Sequence, residues 1–182
     1  MHVSLDGFVG GPKGELDWVH VDKDIFNYTG ALTTEADIAL YGRVTYDMME
    51  AYWPTAANKP DASPHDIQHS DWYNKTEKVV ISKSLKGKTL SNTRIISDNI
   101  AEEVSHLKEG TGKNILIFGS PSAAQTLMLE NLIDDYWLFV NPVLLGQGIP
   151  LFKNIKEKIK LKLAFEHAFS SGVVCLHYQT IH

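Results

Sequence analysis

Short apolar runs alternate along the chain with longer stretches in which apolar positions recur every three or four residues, and that alternation predicts a layered α/β domain. Strands are predicted over residues 2–5, 37–41, 78–82, 94–97, 114–118, 136–140, 160–169 and 173–180. Runs such as VVIS and ILIF are continuously apolar, as strands covered on both faces require. Helices are predicted over 23–35, 44–52, 64–74, 100–109 and 122–130. Ser63-Pro64 and Ser120-Pro121 each set a capping hydroxyl before a proline whose missing N–H costs nothing in a first helical turn. Ala123, Ala124, Leu127 and Met128 share one helical face, which predicts burial of that face. FEHAFSSGVVCLHYQT reads as two long strands joined at Ser170, Ser171 and Gly172, an antiparallel hairpin that makes the sheet mixed. Residues 54–63, with three of the seven prolines in or beside them, read as a surface loop rather than a domain linker.

A chain of 182 residues fits one domain with a sizeable core, so a single domain over 1–182 is expected. The 22 acidic against 17 basic residues leave a net charge of -5, which argues against a nucleic-acid backbone as partner. A small anionic ligand stays open, because one or two local cations suffice for it. No apolar run approaches the roughly 18 residues of a membrane helix, and the opening MHVSLDGF lacks the regions of a signal peptide. A cytoplasmic protein without membrane partners is expected. Its single cysteine, Cys175, lies in VVCLHY and reads as a small buried thiol rather than a nucleophile. In a cytoplasmic chain the sequons at Asn27 and Asn74 carry no meaning.

Several motifs fail on inspection. Gly87-Lys88-Thr89 resembles the end of a P-loop, but Ser82 stands where its first glycine belongs, and a strand rather than a helix follows. Gly146-Gln147-Gly148 opens like a dinucleotide fingerprint, yet Leu151 replaces the third glycine. His65 and His69, four residues apart on a predicted helix with Asp66 nearby, have a metal-ligand spacing without a third ligand. They read as two solvated histidines on a polar helix, so no metal is expected; a metal-dependent enzyme is the third-ranked reading. No GxSxG elbow occurs.

Two strand-to-helix junctions survive. In ADIALYGRVTYDMM a strand ends near Tyr41, Gly42 permits a close turn, and Arg43, Val44 and Thr45 open a helix whose positive end favours an anion. Arg43 adds a planar fork and Thr45 a hydroxyl donor. In NILIFGSPSAAQTLM, Gly119 and Ser120 follow a strand, while Pro121, Ser122 and Ala123 open the next helix. Two such turns on one sheet suit the two phosphates of a dinucleotide.

SLDGF at 4–8, GELDW at 14–18, GRVTY at 42–46, VVISKSL at 79–85, IFGSPSAAQTL at 117–127, LIDDYWLFVNPVLLGQGIPLF at 132–152 and the closing hairpin together resemble the dihydrofolate reductase superfamily. The likeness is to its riboflavin-biosynthesis branch, the RibD C-terminal-like reductase domains. It implies a three-layer α/β/α sandwich around a mixed, mainly eight-stranded sheet ending in an antiparallel C-terminal hairpin, with NADPH across the strand ends. By this likeness Gly42, Arg43, Val44 and Thr45 match the first phosphate turn. Gly119, Ser120, Pro121, Ser122 and Ala123 match the pyrophosphate turn, and Ser82 and Lys83 match the turn at the adenosine 2′-phosphate. Lys83 reads equally as a solvated lysine.

The opening SLDGFVGGPKGELDW resembles the mobile loop that lies over nicotinamide and substrate. Within it, Asp6 either orients a ring nitrogen and supplies a proton or caps the turn at Gly7. Trp18 either stacks on a planar ring or packs in the core, with Asp17 beside it. Gly146, Gly148 and Phe152 are candidates for lining the same substrate pocket, whereas Tyr46 and Trp53 read as packing residues. Relatives carry a longer first strand before SLDGF, so either the first strand is shortened or the sequence is trimmed ahead of it. The early helix shows no acidic residue at the place of the pterin-binding carboxylate of true dihydrofolate reductases, which turns the reading away from folate. The expected function is an NADPH-dependent oxidoreductase that transfers a hydride to a planar heterocycle of pterin or pyrimidine type. The alternative is a non-catalytic nucleotide-binding protein that keeps the fold. Val140, Val143, Leu144, Leu145 and Phe152 suggest a homodimer.

Overall fold

The computed structural model describes residues 1–110 and 112–181. The chain forms two compact units, one built from Lys23–Ser120 and the other from Met1–Asp22 together with the chain from Pro121 onward.

The Lys23–Ser120 unit contains α1 (Lys23–Thr34), β3 (Ala36–Gly42), α2 (Arg43–Ala56), α3 (Pro64–Lys75), β4 (Glu77–Ile81), β5 (Thr93–Ile96), α4 (Ile100–Lys108) and β6 (Asn114–Ile117); β1 (His2–Ser4) and β2 (Phe8–Gly10) precede it in the chain. Its strands form one sheet in the order β5-β4-β3-β6, every pair parallel. Ala39, Leu40, Tyr41, Val79 and Val80 are fully buried, because parallel strands joined through helices are covered on both faces. Parallel pairing also brings all four strand C-termini to one edge. Tyr41, Tyr46, Tyr73 and Leu85 build the core below that edge. The Tyr73 hydroxyl donates to Glu50 Oε1 at 2.7 Å, and buried Lys78 donates its Nζ to the Tyr73 carbonyl at 3.1 Å.

The other unit adds α5 (Pro121–Leu129), β7 (Asp135–Asn141), β8 (Ile149–Pro150), β9 (Leu161–Ala168) and β10 (Val174–Thr180). Its sheet runs β1-β7-β10-β9, with β1 parallel to β7 and the rest antiparallel. Val3, Ala124, Met128, Tyr136 and Leu151 form its core, so the predicted apolar face of α5 is the buried one. The hairpin turn closes with Gly172 at φ +85 and the Phe169 amide donating to the Val173 carbonyl at 2.8 Å. Edge strand β9 is exposed along its whole length. Cys175 is buried, as expected.

Each of the eight predicted strands and five predicted helices has a counterpart within a few residues, and the first strand is short. The mixed α/β architecture is as expected, with four of the eight strands in the sheet of each unit, and a two-stranded ribbon, β2 with β8, is added. Two expectations change. Helix α2 runs on to Ala56 through Pro54, into the stretch read as a loop. Pro54 has no N–H to give, but the Trp53 and Pro54 carbonyls receive Ser70 Oγ at 2.7 Å and Asn74 Nδ2 at 3.2 Å, both from α3, so the helix end is satisfied from outside. His65 is only half-exposed and His69 is buried. The His65 ring stacks on Phe26 with centroids 3.9 Å apart, and His69 is buried among Trp53, Trp72 and Phe118. Helix α3 opens on the predicted cap, where Ser63 and Asp66 form a reciprocal capping box. Among the described residues no helix is long and apolar enough to cross a membrane.

Candidate functional site

Within the Lys23–Ser120 unit the two glycine-marked turns are joined to each other. The Gly42 amide donates to Ser120 Oγ at 2.9 Å, and the Ser120 amide donates to Thr45 Oγ1 at 3.2 Å. Gly42 and Thr45 are thereby locked to Ser120, 78 and 75 positions away in the chain, at the ends of β3 and β6, which are neighbours in the sheet. Ser120 is buried and sits at φ +54, directly after Gly119 at φ +57. Left-handed backbone at a serine costs about 1–2 kcal/mol, and the two hydrogen bonds hold it there. The Ser120 hydroxyl, expected to serve the following helix, accepts the amide at the end of a distant strand.

Helix α2 begins at Arg43 with no side-chain cap on its N-terminus. The amides of Arg43, Val44 and Thr45 belong to the first turn, where no intrahelical acceptor exists, and Arg43 and Val44 are exposed. Those amides, at the positive end of a 14-residue helix, fit a phosphate group in geometry and in charge. Arg43 itself is engaged by Asp47, with Nη1 to Oδ2 at 2.8 Å. Past Gly119 and Ser120 the chain enters α5, whose first turn is Pro121, Ser122 and Ala123; Pro121 has no amide hydrogen, which leaves Ser122 and Ala123 as donors there.

Ser82, at the end of β4, accepts the Leu85 amide at 3.3 Å and lies 3.1 Å from Ser84 Oγ. Its hydroxyl therefore serves its own turn, and exposed Lys83 is the member of that pair turned to solvent.

The remaining candidates lie in the other unit. Asp6 accepts three hydrogen bonds: Ser4 Oγ at 2.7 Å, the Leu145 amide at 3.1 Å and the Gly146 amide at 2.7 Å. The Ser4 hydroxyl, above all, holds its carboxyl below the usual carboxylate range, with the two amides adding to the effect. The Gly7 amide, for its part, donates to the Ser4 carbonyl at 2.9 Å, so Asp6 serves another loop than the Gly7 turn. It ties the end of β1 to the loop carrying Gly146. In the same loop a Cβ on Gly148 would meet the Gly10 carbonyl oxygen at 2.3 Å, so only glycine lets the backbones of the β2–β8 ribbon approach.

Trp18 is half-buried and donates its indole N–H to the Glu15 carbonyl at 3.0 Å, closing a local turn. Asp17 and Phe152 are exposed. In the glycine-rich opening the Gly11 amide donates to the Glu15 carbonyl and the Gly14 amide to the Gly11 carbonyl, both at 2.9 Å.

One residue at the strand ends escaped the sequence reading. Asp98 follows β5, the edge strand beside β4, and pairs with Lys86 at 2.7 Å. Listing the residue just past every predicted strand end would have found it.

A family model described as the RibD C-terminal domain matches residues 1–175. The chain belongs to that family, and its fold is that of the dihydrofolate reductase-like α/β proteins. Over 179 residues it is 38% identical to the uncharacterised protein YyaP of Bacillus subtilis (strain 168), covering 97% of this chain and 90% of YyaP. Among solved structures it resembles the Thermotoga maritima diaminohydroxyphosphoribosylaminopyrimidine deaminase/5-amino-6-(5-phosphoribosylamino)uracil reductase, with TM-score 0.68 and 14% identity over 99% of this chain and 55% of that one. It also resembles an Enterococcus faecalis dihydrofolate reductase complexed with NADP(H), with TM-score 0.63 and 14% identity over 100% of this chain and 94% of that one. Membership of a reductase-domain family supports a reductase-type function.

Proposed function

We propose that this chain is an NADPH-dependent reductase that acts on a planar heterocycle of pyrimidine or pterin type. The observation that carries the reading is the pair of hydrogen bonds from Gly42 to Ser120 and from Ser120 to Thr45. It couples an uncapped helix N-terminus to a second, left-handed turn on the neighbouring strand. Arg43, Val44 and Thr45 supply amides to one phosphate, and Gly119 and Ser120 shape the wall beside it. Lys83 stands where a 2′-phosphate would be met. The bound cofactor would supply the hydride, which needs no protein nucleophile; the chain's part is to bind and orient. Names among the fold's neighbours that include a uracil reductase and a reductase with NADP(H) support the choice of cofactor and of ring class.

Calorimetric titration with NADPH, followed by loss of nicotinamide absorbance in the presence of pyrimidine and pterin substrates, tests the reading. Micromolar binding with turnover of one of these rings is expected. Binding without turnover on any of them would favour a nucleotide-binding protein that keeps the fold, a reading supported by the engagement of both Asp6 oxygens; absence of binding would sink both. A homodimer in the cytoplasm completes the proposal. The exposed edge strand β9, with Leu161, Leu163 and Phe165 each more than a third exposed, is an open template for a second copy. Light scattering on the eluting protein would report twice the chain mass, and a monomer would end that part.

A further inference from the structure

The parallel strands of the Lys23–Ser120 unit end along one edge in the order β5, β4, β3, β6. The residues just past them form a row: Ser97 and Asp98, Ser82 and Lys83, Gly42 and Arg43, Gly119 and Ser120. The Ser82 amide donates to the Ile96 carbonyl at 2.9 Å, which fixes the first two members side by side. Lys86, from the turn after β4, donates Nζ to Asp98 Oδ2 at 2.7 Å, and Ser97 Oγ lies 3.3 Å from the same oxygen. That pairing holds the Asp98 carboxyl below the usual carboxylate range, so it is ionised at neutral pH, and Lys83 is near enough to add to the effect.

Strand β5 is two strand spacings, about 10 Å, from β3. On the dinucleotide reading, a cofactor with one phosphate on the Arg43–Thr45 amides and its adenosine lying across β4 would bring its ribose 2′ position to Ser82 and Lys83, and then towards Asp98. We propose that Asp98 and Lys86 together set selectivity at that 2′ position, Asp98 favouring a hydroxyl and Lys86 a phosphate, so that this chain accepts NADH alongside NADPH. The inference rests on the dinucleotide reading above.

The chemistry opposes the two residues to each other. A carboxylate accepts a hydrogen bond from a ribose hydroxyl, whereas it repels a 2′-phosphate that carries nearly two negative charges. Lys86 can leave Asp98 for that phosphate, because both side chains are more than half exposed, 67% and 59%, and such surface pairs contribute little. The exchange strands Asp98 beside a dianion. Neutralising Asp98 therefore removes the repulsion and releases Lys86, and neutralising Lys86 does the reverse.

The experiment measures dissociation constants of NADPH and NADH by calorimetry at one ionic strength for the wild type, Asp98→Asn and Lys86→Met. The wild type is expected to bind both cofactors, with constants within about tenfold of each other. Asp98→Asn should shift the ratio towards NADPH by about fivefold and Lys86→Met should shift it towards NADH by a similar factor, as fits an exposed charge. A purely structural pair would weaken both cofactors equally and leave the ratio unmoved. Binding of both cofactors with an unmoved ratio in both variants, or a wild type that excludes NADH, overturns this inference and leaves the dinucleotide reading standing. A wild type that binds neither cofactor overturns that reading, and this inference falls with it.

Discussion

The two sheets have the same number of strands and opposite characters. In the Lys23–Ser120 unit four parallel strands, two of them buried on both faces, bring every C-terminus to one edge, and each turn of the proposed cofactor site sits there or begins there. The other sheet is mostly antiparallel, covers one face with α5, and ends in a strand exposed from Leu161 to Ala168. Parallel pairing collects strand ends of one kind, and helix N-termini follow them, so an anion site comes with the topology. Antiparallel pairing alternates its ends and collects none.

The largest test of that contrast is a cavity. Leu40→Ala, in the middle of β3 with no exposed surface, should destabilise by about 2–5 kcal/mol in urea unfolding. A value near zero would mean that the parallel sheet does not carry the stability assigned to it.

Next in size is an acid transition. Burial lowers the His69 pKa from 6.5 to about 4, with His65 adding to the shift. The unfolded chain takes up this proton below pH 6.5 and the folded chain only near pH 4, so stability is complete above pH 6.5 and falls as pH drops between those values. The loss should reach roughly 3 kcal/mol, measured as the difference between unfolding free energies at pH 7 and pH 4. His69→Phe should flatten that part of the profile; an unchanged profile would remove His69 as its source.

Ser120→Ala should cost about 1–3 kcal/mol, because the buried Gly42 amide loses its acceptor, and should weaken NADPH about tenfold. Ser120→Gly removes the same hydroxyl but relieves the left-handed backbone, so it should be the more stable of the two while binding NADPH as weakly. Equal binding by wild type and both variants would detach the serine bridge from the cofactor. Smallest of all, Leu163→Ala on exposed β9 should change monomer stability by less than about 1 kcal/mol, a fraction of the Leu40 effect. Near-equal losses at Leu40 and Leu163 would erase the contrast between the sheets.

Much of the architecture was legible because the signals are local. Continuous apolar runs marked β3, β4 and β6, helical spacing marked the buried face of α5, and Ser63-Pro64 marked the start of α3. The candidate phosphate turns were legible for the same reason, since a glycine after a strand and before a helix is a feature of a few neighbouring residues. Asp98 stands just past a predicted strand end, but its pairing with Lys86, 12 residues away across a turn, follows from no spacing rule. The histidines of α3 were misread because the polarity of a helix says nothing about which aromatic rings stand opposite it.

By itself the sequence determined the identity of the elements, the hairpin, the net charge and the places where a backbone can turn sharply, all of them consequences of side-chain size, polarity and φ preference over a few residues. Only the tertiary structure decided that Ser120 receives the Gly42 amide, that Asp6 spends both oxygens on the loop at Leu145 and Gly146, and that β3 pairs with β6 across more than 70 residues of chain. Each of those outcomes depends on which distant groups the folded chain brings within about 3 Å, the reach of a hydrogen bond, and that distance is set by packing and not by any local pattern.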